Sequence, residues 1–417
     1  MSQAFKFKKD VQFYKFCMYG FLKNLRFFEP FLVLFFLEKG LSFLQIGTLY
    51  ALREIATNIL EIPTGVIADA MGRRRTMISS FISYILSFIM FHLLSGYYFF
   101  ALAMLLFSFG DAFRTGTHKA MIFEYLKIKG WKDQKVYYYG HTRSCSQLGS
   151  ALSSLVAAFI VFYTGSFRVI FLYSTLPYLL DLFLMISYPK ELDGELQMVE
   201  KGKVKANIKR VVQDFIYSFK DKRLLQSIAN LSFYTGFYKA SKDYLQPILN
   251  SFALSLPIFV FLENRQRTSL VIGIVYFSIH LLTSFASRHS GTFADKYKNL
   301  SLLLNMTLLA GYLTGMLSGI FIILGLPIIS ILMYMGIYII QNLRKPMGIA
   351  CVSDMMKQDI LATALSAESQ VSALSAAVIA LLIGFFADHF GVGSALIIVS
   401  LFMLAPSPFY FIKRKQS

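Results

Sequence analysis

The chain has 417 residues and a formal net charge of +18, yet only 15% of its residues are charged and 56% are hydrophobic. A soluble protein carries roughly 25% charged residues, so a water-soluble globular fold is excluded. Apolar runs of about 20 residues recur along the whole length, which points to an all-α polytopic membrane protein whose main partner is the lipid bilayer. The basic residues are spread through short loops instead of forming one stripe, which argues against a nucleic-acid partner.

Hydrophobicity predicts twelve spans, beginning near Phe13, Gln45, Met77, Phe99, Gly140, Phe167, Leu225, Leu270, Leu300, Ile328, Leu361 and Gly393. Lys6, Lys8, Lys9 and Asp10 run straight into the first span without a small-residue cleavage site, so no cleavable leader is expected. Alternate loops are basic. One set holds Lys6 to Lys9, Arg73 to Arg75, Lys127 to Lys135, Lys190 to Arg223, Lys296, Lys298, Lys357 and Lys413 to Lys415; the other holds only Lys39, Arg168, Arg265 and Arg267. The asymmetry predicts a multi-pass protein of the cytoplasmic (inner) membrane with both termini in the cytoplasm.

The longest polar stretch lies near the midpoint. It divides the chain into an N-terminal six-helix bundle (1–188), a cytoplasmic linker (189–223) and a C-terminal six-helix bundle (224–417). Val204 to Phe219 within the linker reads either as an amphipathic helix on the inner membrane face or as a solvated tether. Cys17, Cys145 and Cys351 are too few and too scattered along the chain for a disulfide framework or a metal site, and no cofactor is implied.

The two halves repeat one another. Gly65-x-x-Ala68-Asp69 recurs as Gly291-x-x-Ala294-Asp295, 226 positions on, and Arg114 with Glu124 recurs as Arg344 with Asp354, 230 on. Gln147 and Gln370 lie 223 apart, and Pro30 and Pro247 lie 217 apart. Gly149, Ser153 and Ala157 align with Ser372, Ala376 and Ala380, small residues at the four-residue spacing that lets helices pack closely in lipid. A third copy, Gly384-x-x-Ala387-Asp388, precedes the twelfth span and fits an inverted repeat nested within each half.

Between the second and third spans, Gly65-Val66-Ile67-Ala68-Asp69-Ala70-Met71-Gly72-Arg73-Arg74-Arg75 resembles the corresponding loop of the major facilitator superfamily. The resemblance implies the major facilitator fold, with its substrate site between the two bundles. It also implies a cytoplasmic gate in which Asp69 and Arg73 work with Glu124 at the end of the fourth span, supported by Gly65, Gly72 and Arg74. Ala70 replaces the family's usual arginine after the aspartate, which removes that contact. The fifth span lacks the Gly-Pro pair associated with proton-coupled drug antiporters, and Glu61-Ile62-Pro63-Thr64 looks like a group of bacterial permeases and efflux-like proteins.

Ionisable side chains within spans cost roughly 2.5–3.5 kcal/mol each at the helix centre, so they normally face a cavity or a partner. Arg26 and Glu29 stand three apart on one predicted helix face, as do Asp111 and Arg114. Each couple is either a self-neutralised structural pair or a substrate anchor beside a proton carrier. Lys242, Asp243, Gln341 and Arg344 complete a candidate cavity on spans one, four, seven and ten, the cavity-lining set that the resemblance implies. Its slight cationic excess favours an anionic or zwitterionic cargo.

The expected function is secondary active transport of a small molecule by alternating access, proton-coupled, by a monomer that is not an enzyme. The alternatives are a multidrug or amphiphile efflux pump of the same fold, or a lipid-handling or non-transporting protein on this scaffold. A G-x-x-x-x-G-K-[ST] loop, a nucleophile–base set and a metal cluster are all missing from the sequence, which leaves ATP drive and catalysis unsupported.

Overall fold

The computed structural model describes residues 9–131, 134–194, 222–258, 260–297, 299–353 and 358–413, and every element among them is helical. The first six spans are α1 (Val11–Leu22 and Leu32–Glu38), α2 (Phe43–Met71), α3 (Arg73–Leu93), α4 (Tyr97–Arg114 and Thr117–Ile128), α5 (Lys135–Thr164) and α6 (Val169–Ile186). The last six are α7 (Lys222–Ser241 and Leu245–Ser255), α8 (Asn264–Asp295), α9 (Leu300–Ile323), α10 (Pro327–Ser353) and then α11 and α12, one run from Gln358 to Leu404 kinked at Gly391, where φ is 79°. The amphipathic segment 204–219 lies outside the described residues, as does most of the linker.

Seven of the described helices are long and apolar enough to cross a membrane by length and composition. Spans α1, α2, α7 and α10 fall outside that set, and all four carry internal charges or a break. A proline stands at each break. The first segment of α1 stops at Leu22 and the second begins at Leu32, after a short 3-10 turn at Glu29–Phe31 that Pro30 opens, where its missing N–H costs nothing. In α7 a 3-10 turn at Lys242–Tyr244 interrupts the helix, and Pro247 falls in the first turn of the new segment, where its missing N–H costs nothing. The repeated prolines therefore mark equivalent interruptions.

Within the first six spans an aromatic core holds the helices together. Phe171 of α6 packs against Phe35 at 4.7 Å and Phe91 at 4.9 Å between ring centres. Between the halves, the most extensive contacts are α2 with α11 and α5 with α8, a pair of seams that the repeat interchanges. Small residues make these seams: Gly47 of α2 packs on Ala380 of α11, and Gly273 of α8 on Ala158 of α5. Ser153, Ala157, Ser372 and Ala376 are buried too, and Ala376 packs on Gly236 of α7, within the last six spans. Cys17 and Cys145, far apart in sequence, are neighbours where α1 meets α5, so the scatter read along the chain is not a scatter in space; both thiols are free.

Polar links between the halves run from mid-depth to the end opposite the termini. Asp388 of α11 accepts from the backbone N–H groups of Phe43 and Leu44 at 2.7 and 2.8 Å, capping the start of α2. Arg265 pairs with Glu38 at 3.4 Å and donates to the Gly165 carbonyl, while Gln266 donates to Phe162 O at 3.3 Å. Deepest are Glu54 with Lys239 and Glu29 with Lys242. The bundle is thus closed at the end opposite the termini.

Candidate functional site

A cavity of about 450 Å³ lies between the halves, lined by α1, α5, α7, α8 and α10. Arg26, Glu29, Lys242 and Asp243 all face it, together with Asn24, His280, Asn342 and Lys345. The pairing differs from the one expected. Residues 23–28 are not helical, so Arg26 and Glu29 do not share a helix face and do not pair with each other. Instead Lys242 Nζ lies 2.6 Å from Glu29 Oε1, across the gap between the halves, and 3.7 Å from Asp243 Oδ1. The Tyr338 hydroxyl donates to the Lys242 carbonyl at 2.5 Å, fixing the backbone at the α7 break.

Arg26 turns to α4, with its guanidinium 3.5 Å from Asp111 Oδ1. Asp111 also takes Arg114 at 3.0 Å and the Tyr84 hydroxyl at 2.5 Å, and Arg114 Nε donates to Tyr84 at 3.0 Å. The expected Asp111–Arg114 couple is present, enlarged by Arg26 into a cluster in which one carboxylate serves two cations. Gln246, fully buried in α7, bonds the broken backbone of α1: its Oε1 accepts from Val33 N at 2.8 Å and its Nε2 donates to Glu29 O at 2.9 Å.

Gln341 and Arg344 sit elsewhere. They line a smaller cavity of about 150 Å³ inside the last six spans, with Lys239, Lys345 and Glu368, which adjoins the central one at Lys345. Arg344 is 2% exposed and takes no carboxylate. It donates to Thr307 Oγ1 at 2.8 Å, to Asn230 O and Oδ1 at 3.2 and 2.7 Å, and to the Leu304 carbonyl, with its guanidinium 4.9 Å from the Tyr234 ring centre. Those bonds tie α7, α9 and α10 together.

At the terminal end, Gly72 has φ 94° and joins α2 directly to α3. Arg73 Nη1 lies 3.7 Å from Glu124 Oε2. Arg74 donates from its guanidinium to Tyr188 O at 3.2 Å and from its backbone N–H to Asp193 at 2.7 Å. Gly65 and Asp69 belong to α2, but the Asp69 side chain lies outside the described set. Asp193 and Glu54 carry bonds that neither the loop motif nor the repeat singles out. Both are single acids among many, recognisable only once their partners are adjacent. Asp388 did carry a signal, the third copy of the loop motif.

The architecture matches solved transporters. The nucleoside transporter NupG superposes with a TM-score of 0.72 at 13% identity, covering 97% of each chain. The peptide transporter POT in complex with sulfate gives 0.69 at 14% identity, over 96% of this chain and 94% of that one. A POT family transporter with 5-aminolevulinic acid gives 0.68 at 15% identity, over 96% of each. At such identities the likeness shows the fold. In sequence, an uncharacterized MFS-type transporter of Bacillus subtilis (strain 168), YxaM, is 24% identical over 398 residues, 93% of this chain and 92% of that one. The family profile described as Major Facilitator Superfamily matches residues 16–368, and the chain belongs to that family of transporters.

Proposed function

We propose that the protein is a secondary active transporter that moves a small anionic or zwitterionic molecule across the cytoplasmic membrane by alternating access, coupled to protons, working as a monomer with both termini in the cytoplasm. The carrying observation is the Glu29–Lys242 bond at 2.6 Å, which joins the two halves across the central cavity. With the termini cytoplasmic, the closed end faces outward and the conformation is inward-facing. An anionic group of the cargo competes for Lys242, and its arrival frees the Glu29 carboxylate to take up the coupling proton. The bond between the halves is then gone from both sides, and they can rearrange. Arg26, Lys242 and Lys345 against Glu29 and Asp243 leave the cavity slightly cationic, in keeping with such a cargo. Arg73 and Glu124, with Asp69, form the gate at the cytoplasmic end, and 1–188, 189–223 and 224–417 are the bundle, linker and bundle.

Proteoliposomes assayed with a panel of carboxylates, phosphate esters and amino acids test the coupling. Glu29→Gln is expected to lose gradient-driven uptake by about tenfold or more while keeping substrate exchange. Asp111→Asn should impair both, because Asp111 organises two arginines. Full gradient-driven uptake in both variants would sink the mechanism. A cysteine replacing Lys203 should react with an impermeant thiol reagent only from the cytoplasmic side; labelling from outside overturns the orientation.

A further inference from the structure

A third cavity, of about 340 Å³, lies within the first six spans between α1, α4 and α5. Gln147 lines both it and the central cavity, so the two spaces adjoin at this side chain. Its wall carries Lys23, Arg114, His118, Lys119 and Arg143, and no carboxylate. Arg114 is neutralised by Asp111 at 3.0 Å. Lys23, Lys119 and Arg143 have no ion-pair partner among the described residues. Their neighbours are aromatic: Lys23 lies 5.7 Å from the Tyr19 ring, and Lys119 lies 5.5 and 5.3 Å from Phe123 and Tyr139. Two acids behind the wall, Asp111 of α4 and Asp181 of α6, act on both Lys23 and Arg114, and neither lines the cavity; Asp181 is fully buried and neither of its oxygens is hydrogen-bonded.

Lys119 and Arg143 are exposed and can extend toward water. Lys23 is half-buried and lies deeper in the same cavity. The Tyr178 hydroxyl, midway along α6, donates to the Lys23 carbonyl at 3.1 Å, which sets Lys23 at mid-depth beside the α1 break. A cation held there with no carboxylate in direct contact is costly unless an anion or water answers it. We infer that this cavity is an anion-binding station, with Lys23 at its floor, Lys119 and Arg143 at its mouth, and Thr142, Ser146 and Gln147 as hydrogen-bonding groups. Its ligand is a phosphate or phosphoryl group, from a soluble anion or from a lipid headgroup. If the transporter reading holds, it is where an anionic cargo first docks before passing Gln147 to the central cavity; binding itself does not depend on that reading.

The test uses the full-length protein in phosphatidylcholine nanodiscs, titrated with inorganic phosphate and followed by its thermal midpoint. Phosphate should raise the midpoint of the unaltered protein. Lys23→Gln and Arg143→Gln should each weaken apparent affinity by about tenfold or more, Lys23→Arg should restore it, and Lys296→Gln should leave it unchanged. If Lys23→Gln does not fold, Arg143→Gln and Lys23→Arg carry the comparison. Competition by phosphatidylglycerol in the nanodisc identifies a headgroup as occupant, and its failure to compete identifies a soluble anion; either supports the station. Equal affinity in all variants, or no binding of either phosphate or anionic lipid, overturns it. Transport retained without phosphate binding overturns the station alone, whereas phosphate binding without transport of any cargo upholds it and counts against the transporter reading.

Discussion

Replacing Gly47 with valine is expected to wedge open the seam opposite the termini and to abolish net transport. A Cβ at position 47 runs into the Ala380 carbonyl, a backbone atom that cannot turn aside. The contact is reciprocal: a Cβ on Gly384 would meet the Phe43 carbonyl at 2.5 Å and the Leu44 Cα at 2.9 Å. The helices touch here because both residues are glycine. Overpacking at such a contact costs about 1–3 kcal/mol, and the bonds from Asp388 to the start of α2 contribute about 1 kcal/mol more. Losing both moves a two-state population by roughly one and a half to three powers of ten, at about 1.4 kcal/mol per factor of ten. In a cysteine-free background, a Ser150→Cys reporter in the central cavity should react slowly with an impermeant maleimide from outside, and much faster once Gly47→Val is added. Unchanged labelling with unchanged transport would mean that this seam does not hold the cavity closed.

The second large effect is expected at Arg344, in stability and not in cargo affinity. Arg344→Ala removes the donor to the Asn230 amide oxygen and the Thr307 hydroxyl oxygen in a buried site, while the Leu304 and Asn230 carbonyls keep their donors within the helices. Unsatisfied buried groups of that kind cost about 1–3 kcal/mol each, and large single-site losses reach about 4–5 kcal/mol. The variant should show a sharply lowered thermal midpoint and poor yield. Arg344→Lys should recover only part of this, since an ammonium cannot span the same acceptors as a planar fork. A variant with an unaltered midpoint but weakened cargo binding would return Arg344 to the substrate cavity expected from the sequence.

The sequence showed the span count and the repeat because lipid exposure leaves a long apolar record that needs no partner to be read. It also placed Arg26, Glu29, Lys242 and Asp243 together, since charges within spans are few and collect at a cavity. What it misjudged depended on helix continuity. Spacing by three puts Arg26 beside Glu29 only if the helix runs through, and α1 is interrupted between Leu22 and Leu32. Arg344 was misjudged for another reason: its acceptors are a threonine, an asparagine and backbone carbonyls, and such partners leave no charge pattern. Asp388 shows the same blindness. Its motif was visible, but its partners are the first N–H groups of α2, which any residue could supply.

The bonds of Gln246 have a mechanical consequence. This side chain belongs to the last six spans, yet it completes the hydrogen bonding of the interrupted backbone of α1 in the first six. Drawn straight apart, the halves would strand the Val33 N–H and the Glu29 carbonyl in a setting where an unmet backbone group costs several kcal/mol. Sliding would do the same. Turning about this point would not, because an amide can hold a donor and an acceptor through a change of angle. The halves are therefore tied at this level, which is where the motion of the proposed transport cycle would pivot. A shorter side chain at position 246 would remove the fulcrum while leaving both levers intact.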